Sequence, residues 1–211
     1  MTNTNTTNVY GNLGVNPGTA VTGFESVDSG PGTVHGSIYT GTDAEAVSAR
    51  SGVTAAYSSL AGQACLGHLT GQDLGGQTLT AGVYCFDTSA GMTGTLTLDG
   101  QGSSDATFII RTGSTLTTAS GSSVNLVNGA NACNVFWQVG SSATLGTTTS
   151  FVGNLLATES ITLDSGAMII GRALAGSGAV TMDNNTVDAR QCTAPATSET
   201  QHCDGDPDRH C

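Results

Sequence analysis

Lysine is missing from this chain. Its five basic residues are all arginine, set against sixteen acidic ones, and the net charge is −11. A protein that grips a phosphate backbone needs clustered Lys and Arg. No such cluster exists here, so a nucleic-acid partner is not expected. The same deficit argues against an anionic membrane surface. No run is apolar enough to cross a bilayer, and the opening, MTNTNTTNVYG, is polar and unlike a secretory leader. Proline (4 residues) and aromatics (5%) are also scarce.

Glycine is abundant at 30 residues, alongside many Thr and Ser. Such a composition can mark disorder. However, 37% of residues are hydrophobic, and they alternate with polar ones, which marks strands and turns. The length suits one domain. Six cysteines (Cys65, Cys85, Cys133, Cys192, Cys203, Cys211) are an even number and predict disulfides in an oxidising compartment; the spacing leaves their pairing open. Buried free thiols are the alternative.

One stretch reads as helix. Thr42 and Glu45 stand at capping-box spacing, and Ala46, Val47, Ala49, Val53, Ala56, Tyr57 and Leu60 recur every three or four positions. The prediction is a single helix over about 43–61, with nothing else convincingly helical. From Thr78 onward the text repeats itself. TLTA, TLTL, TLTT, SATL, SITL and AVTM begin at Thr78, Thr95, Thr115, Ser142, Ser160 and Ala179, in steps of 17, 20, 27, 18 and 19 residues. Steps near 18 fit one coil of a three-sided β-solenoid, whose coils bury their apolar faces only by stacking. The step of 27 implies an extra loop around NLVNGANACN.

Side chains alternate along a strand. If the six rows stack, Leu79, Leu96, Leu116, Ala143, Ile161 and Val180 point inward, as do Leu98, Leu145, Leu163 and Met182. Thr78, Thr80, Thr95, Thr97, Thr115, Thr117, Ser142, Thr144, Ser160, Thr162 and Thr181 then point outward as two parallel columns on one face. A second set of strands, TFIIRTG, NVFWQVG, VGNLLAT and IGRALAG, places Ile110, Trp137, Leu155 and Ala173 in the core. It leaves Ile109, Phe136, Leu156 and Leu174 outside, where they need cover. The helix is the expected cover, with the Thr face left open to water.

Threonine is stiff at χ1 and offers one hydroxyl and one methyl. A grid of such side chains, about 4.8 Å apart across strands and about 6.7 Å along them, suits an ordered solid, ice above all. The absence of lysine favours that order. Thr is also common on any exposed strand, so a structural ladder or adhesive stalk is the competing reading.

Several long stretches carry a resemblance: GNLGVNPGTAVTGF (11–24), PGTVHGSI (31–38), LTGQDLGGQTLTAGVYCF (69–86), GSTLTTASGSSVNLVNGANACNVFWQVGSSATLGT (113–147) and GRALAGSGAVTMDNNTV (171–187). Together the chain resembles the large microbial ice-binding protein family with a discontinuous β-solenoid fold. The resemblance covers most of 9–192. It implies a mostly β protein: a right-handed three-sided solenoid of about six coils, one long helix alongside, and N-terminal strands packed beside late ones. It also implies a secreted protein with antifreeze activity. Two departures stand out. Family members usually carry an apolar strand before the GNLGV element, where this chain has only MTNTNTTNVY; that raises self-association, a partner chain supplying the strand, beside the expected monomer. The tail, 193–211, has no counterpart, and the domain is set at 1–192.

No catalytic, metal or cofactor site emerges. Asp43, Glu45, Asp73, Asp87, Asp99, Asp105, Asp164 and Asp183 are dispersed, whereas an enzyme needs acids and bases converging in a cleft. His35 and His68 lack a nucleophile at any recognisable spacing. His202, Cys203, Asp204, Asp206, Asp208, His210 and Cys211 are dense but match no zinc or calcium module. Trp137 and Phe136 could stack a sugar, but their phase makes them core and helix contacts. The expected function is non-enzymatic adsorption to ice; the alternative is a cell-surface or assembly solenoid.

Overall fold

A computed structural model describes residues 1–192 of the chain. Short parallel strands pair with strands one circuit away and form three strips. The first face is a six-stranded sheet in the order Thr2–Asn3, Val180–Met182, Ile161–Leu163, Ala143–Leu145, Leu116–Thr118, Ala90–Met92. The second face runs through Thr78–Thr80, Thr95–Asp99, Ser123–Val127, the first halves of Ser150–Ala157 and Met168–Ala175, then Thr186–Asp188, Asn8–Tyr10 and Thr33–Val34. The third carries Gly67–His68, Gly82–Phe86, Phe108–Thr112, Val135–Val139 and the second halves of the two long strands. Leu13–Val15 and Ile38–Thr40 pair with each other.

The repeat near 18 residues follows from this pairing: Ala143 lies beside Ile161 and Ser150 beside Met168. Glycine makes the corners of the long strands. Gly153 and Gly171 have φ of 114° and 140°, and a Cβ on Gly171 would lie 2.1 Å from the Gly153 carbonyl oxygen. Only a residue without a side chain fits there.

The core is as the alternation predicts. Leu96, Leu98, Leu116, Leu145 and Ile161 are fully buried, and Leu79, Ala143, Leu163, Val180 and Met182 nearly so. Trp137 is core, not a sugar platform. Its indole N–H donates to the Val152 carbonyl at 2.9 Å, which satisfies the one polar group it buries.

The helix spans Ala44–Ala61. Val53, Tyr57 and Leu60 pack on Val83, Ile109, Phe136, Leu156 and Leu174, so the third face is covered as expected. An isolated helix of this length and with this Ser, Gly and β-branched content is marginal in water. The packing holds it, together with Arg111 Nη1 donating to the Gln63 carbonyl at 2.6 Å and the Cys65–Cys85 disulfide. The expected capping box does not form. Asp43 is the N-cap, and its carboxylate accepts instead from the Thr40 N–H at 2.7 Å, before the helix begins.

Other expectations need correction. Glu25–Asp28 is a second, four-residue helix, and Ala132–Asn134 and Arg190–Cys192 are single 3₁₀ turns. Part of the supposed extra loop is strand: Ser123–Val127 pairs residue for residue with Thr95–Asp99. The thin N-terminus also does more than expected. Thr2–Asn3 pairs with Thr181 and Met182, and Asn8–Tyr10 with Thr186–Asp188, so early strands do sit beside late ones. A second disulfide joins Cys133 and Cys192. Cys203, Cys211 and the rest of 193–211 lie outside the described residues.

Candidate ice-contact face

On the first face, Thr117, Thr144, Thr162 and Thr181 are direct partners in successive strands. The column continues to Thr2, and a single bridge adds Thr22. At its other end stand Gly91 and Asp73. Buried residues flank Thr117 (Leu116 and Thr118), Thr144 (Ala143 and Leu145), Thr162 (Ile161 and Leu163) and Thr181 (Val180 and Met182), so period two turns these threonines outward. Thr2, Thr22, Thr117 and Thr181 are exposed; Thr144 and Thr162, with neighbours on both sides, are half-buried.

What separates this column from the one beside it is the state of its hydroxyls, and what separates it from the equally unbonded Thr78, Thr80 and Thr97 of the second face is its unbroken register. Among the described residues, none of the six side chains makes an intramolecular hydrogen bond. Their donors and acceptors are left for water. The column one step toward the strand starts, Ser89, Thr115, Ser142 and Ser160, behaves differently. Thr115 Oγ1 donates to Ser89 Oγ at 2.9 Å, and Ser142 Oγ donates to a Glu159 carboxylate oxygen at 3.3 Å. This second column is a bonded edge that ends at Ala179, where Ile161 N–H meets the Ala179 carbonyl.

Thr78, Thr80, Thr95 and Thr97 are not on this face. The local text Thr-Leu-Thr matches, but the backbone pairs Thr97 with Thr78 and Asn125, and Thr95 with Ser123, on the second face. The first-face partner of Leu116 is Ala90, not Leu96. Thr95 and Ser123 spend their hydroxyls on each other at 2.8 Å. Farther along the second face the row that Thr97 and Asn125 begin passes through Val152, which is buried, then Ile170, Asp188 and Tyr10, so no threonine column extends there.

Sequence reasoning missed Thr2 and Thr22. Thr22 had a signal, since Ala20-Val21-Thr22 repeats Ala179-Val180-Thr181. Thr2 had none, because its strand is two residues long.

Charge is arranged around the column rather than in it. The described arginines, Arg50, Arg111, Arg172 and Arg190, sit on the helix, the third face and the 3₁₀ turn after Asp188. Four aspartates hold turns and are more acidic than usual. At Asp99 the causes are the Gln101 N–H and then the Asn128 amide. At Asp28 the Gly23 N–H leads, and at Asp188 the Arg190 guanidinium does. Burial works to raise Asp73, but hydrogen bonds from Thr93 and Gly75 outweigh it. No three His, Cys, Asp or Glu side chains converge among the described residues. His35 stacks on Tyr10 with centroids 4.2 Å apart, and Arg190 covers the same ring at 4.0 Å.

Residues 1–188 match the family model described as Ice-binding-like. An ice-binding protein of Nostoc sp. (strain HG1) is 50% identical over 196 residues, covering 92% of this chain and 70% of that one. The crystal structure of an ice-binding protein from the Antarctic ascomycete Antarctomyces psychrotrophicus superposes with a TM-score of 0.79 at 36% identity, covering 90% and 93% of the two chains. A glycosylated ice-binding protein from an Arctic yeast gives 0.82 at 30% identity, covering 95% and 93%. With nearly its whole described length matched, the chain belongs to the Ice-binding-like family.

Proposed function

We propose that this protein adsorbs to ice through the first face and that Thr117, Thr144, Thr162, Thr181, Thr2 and Thr22 make the contact. Thr115, Ser142 and Ser160 form the rim. Thr78, Thr80, Thr95 and Thr97 belong to another face and are left out. The observation that carries this reading is the six-threonine column in register, with every hydroxyl free for water. Strand spacing sets those hydroxyls about 4.8 Å apart, and stiff χ1 angles hold them there. Water ordered on such a row joins the growing crystal plane, while the methyl groups limit competing hydration.

The mechanism is adsorption without a chemical step. Bound molecules force the ice front to bulge between them, and the curvature lowers the local freezing point. The same pinning slows recrystallisation. The relatives named as ice-binding support this reading, as does the dispersal of acids and histidines that an active site would gather. The finer architecture we favour is a right-handed, three-sided solenoid of about six coils, acting as a secreted monomer. Thermal hysteresis of the wild type beside Thr144→Tyr, followed on a single crystal, tests the proposal. A freezing gap that vanishes in the folded variant supports the face; an undiminished gap moves the site elsewhere.

A further inference from the structure

The threonine row stops before the fold does, and a carboxylate stands where it stops. Thr117 pairs with Gly91, and Gly91 bridges to Asp73. Ala90 and Met92 on either side of Gly91 are buried, so a side chain at position 91 would point outward in line with the threonines. There is none. The space is taken from the neighbouring circuit: a Cβ on Gly91 would lie 3.3 Å from Asp73 Oδ2. That circuit still adds strands to the other two faces, Gly67–His68 to the third and Thr78–Thr80 to the second. On the first face it adds an anion.

The anion is fixed. Asp73 Oδ1 accepts from the Gly75 N–H at 2.6 Å and from the Thr93 N–H at 2.8 Å, and Oδ2 accepts from Thr93 Oγ1 at 3.1 Å. The loop closes this tightly because residue 75 is glycine. A Cβ there would lie 1.7 Å from the Thr93 carbonyl oxygen. Burial pushes this carboxyl up, but the hydrogen bonds from Thr93 and Gly75 outweigh it, so the group is charged at neutral pH. Asp73 is nevertheless exposed, and its charge meets the water beside the row.

A threonine hydroxyl both donates and accepts hydrogen bonds, whereas a carboxylate only accepts. Water in ice donates as often as it accepts. A hydroxyl can therefore stand in a row of lattice water. Around a carboxylate every neighbouring water turns a donor inward, and the balance of the crystal is lost. The charge also holds its hydration strongly.

We propose that Asp73, together with Gly91, is the boundary of the ice contact and sets the point, at Thr117, where the ordered water row ends. This rests on the first-face reading of the proposed function. The two residues act as a unit. The fixed carboxylate occupies the place that a side chain at 91 needs, and the glycine leaves room for it. The length of the contact is limited by a charge, not by the number of circuits.

Thermal hysteresis at matched concentration tests this, with a melting curve for every variant. Asp73→Asn keeps the shape and one oxygen for the Gly75 and Thr93 N–H groups and removes the charge. Hysteresis rises by about half, since an end position counts for less than a central one. Gly91→Thr alone gives little gain, because its Cβ meets the fixed carboxylate. Asp73→Asn combined with Gly91→Thr adds a threonine to the row and roughly doubles hysteresis, more than the two single changes together. A purely structural role for Asp73 would move the melting curve and not this coupling. Asp73→Ser, which also accepts from a following N–H without charge, serves where the asparagine variant does not fold. A folded, uncharged variant with unchanged or reduced hysteresis overturns the proposal. So does failure of both variants to fold, which makes Asp73 a structural cap. Thr144→Tyr separates this result from the reading beneath it. Hysteresis lost in Thr144→Tyr but not gained in Asp73→Asn leaves the face standing and removes the boundary; hysteresis kept in Thr144→Tyr removes both.

Discussion

The first and second faces are written in the same words and built differently. Thr-Leu-Thr occurs at Thr95–Thr97 and again at Thr115–Thr117, with the variant Ser-Ile-Thr at Ser160–Thr162. On the first face each threonine meets another across the ladder, circuit after circuit, until six stand in line. On the second, Thr97 has Thr78 on one side and Asn125 on the other, and beyond them come Val152 and Ile170. Local sequence decides which residues point outward. Long-range register decides whether they form a surface.

Four measurements sharpen or break that contrast. The largest effect is expected from Thr144→Tyr, at the middle of the column: thermal hysteresis falls roughly tenfold or more, because central positions dominate a contact surface. Stability stays within about 0.5 kcal/mol, since the residue is outward-facing, and a melting curve checks this. Next comes Thr22→Tyr at the column's end, joined by only one bridge, where hysteresis is partly lost and crystal shaping persists. Thr97→Tyr on the second face leaves hysteresis at the wild-type value; a loss as deep as that of Thr144→Tyr would erase the distinction between the faces.

The smallest effect concerns pH. The six contact side chains do not titrate, so hysteresis is flat from neutral pH down to the ordinary carboxylate range near about pH 4. Below that, folding stability declines. Asp28, Asp99 and Asp188 have depressed folded-state pKa values, so their contribution is present above the unfolded value and lost as pH falls through the folded one. Paired melting and hysteresis curves against pH separate the two effects.

The fold was largely legible because strands declare their inward residues every second position, as Leu96, Leu116, Leu145 and Ile161 do. The helix's cover of Ile109, Phe136, Leu156 and Leu174 was legible for the same reason: those residues had nowhere else to go. Two of the six column threonines, Thr2 and Thr22, were not, and four expected beside them lie on another face. Thr78 and Thr95 look like Thr115 in text, and only hydrogen bonding between strands tells them apart. Thr2 was invisible because two residues carry no periodicity. The helix start misled because Asp43 satisfies a backbone N–H before the helix instead of one within it.

The pairing of Thr2 with Thr181 also sets a timetable. A ribosome emits Thr2 roughly 10–35 s before Thr181 at ordinary elongation rates, with nearly the whole described domain between them. Throughout that interval residues 2–10 have Thr22, Thr33 and Val34 on one side but lack Thr181–Met182 and Thr186–Asp188 on the other, and an apolar strand left half-paired would invite aggregation. The stretch MTNTNTTN contains one hydrophobic side chain in eight. Its polarity, unhelpful for reading the fold, lets the nascent chain keep its last piece soluble until the place for it exists.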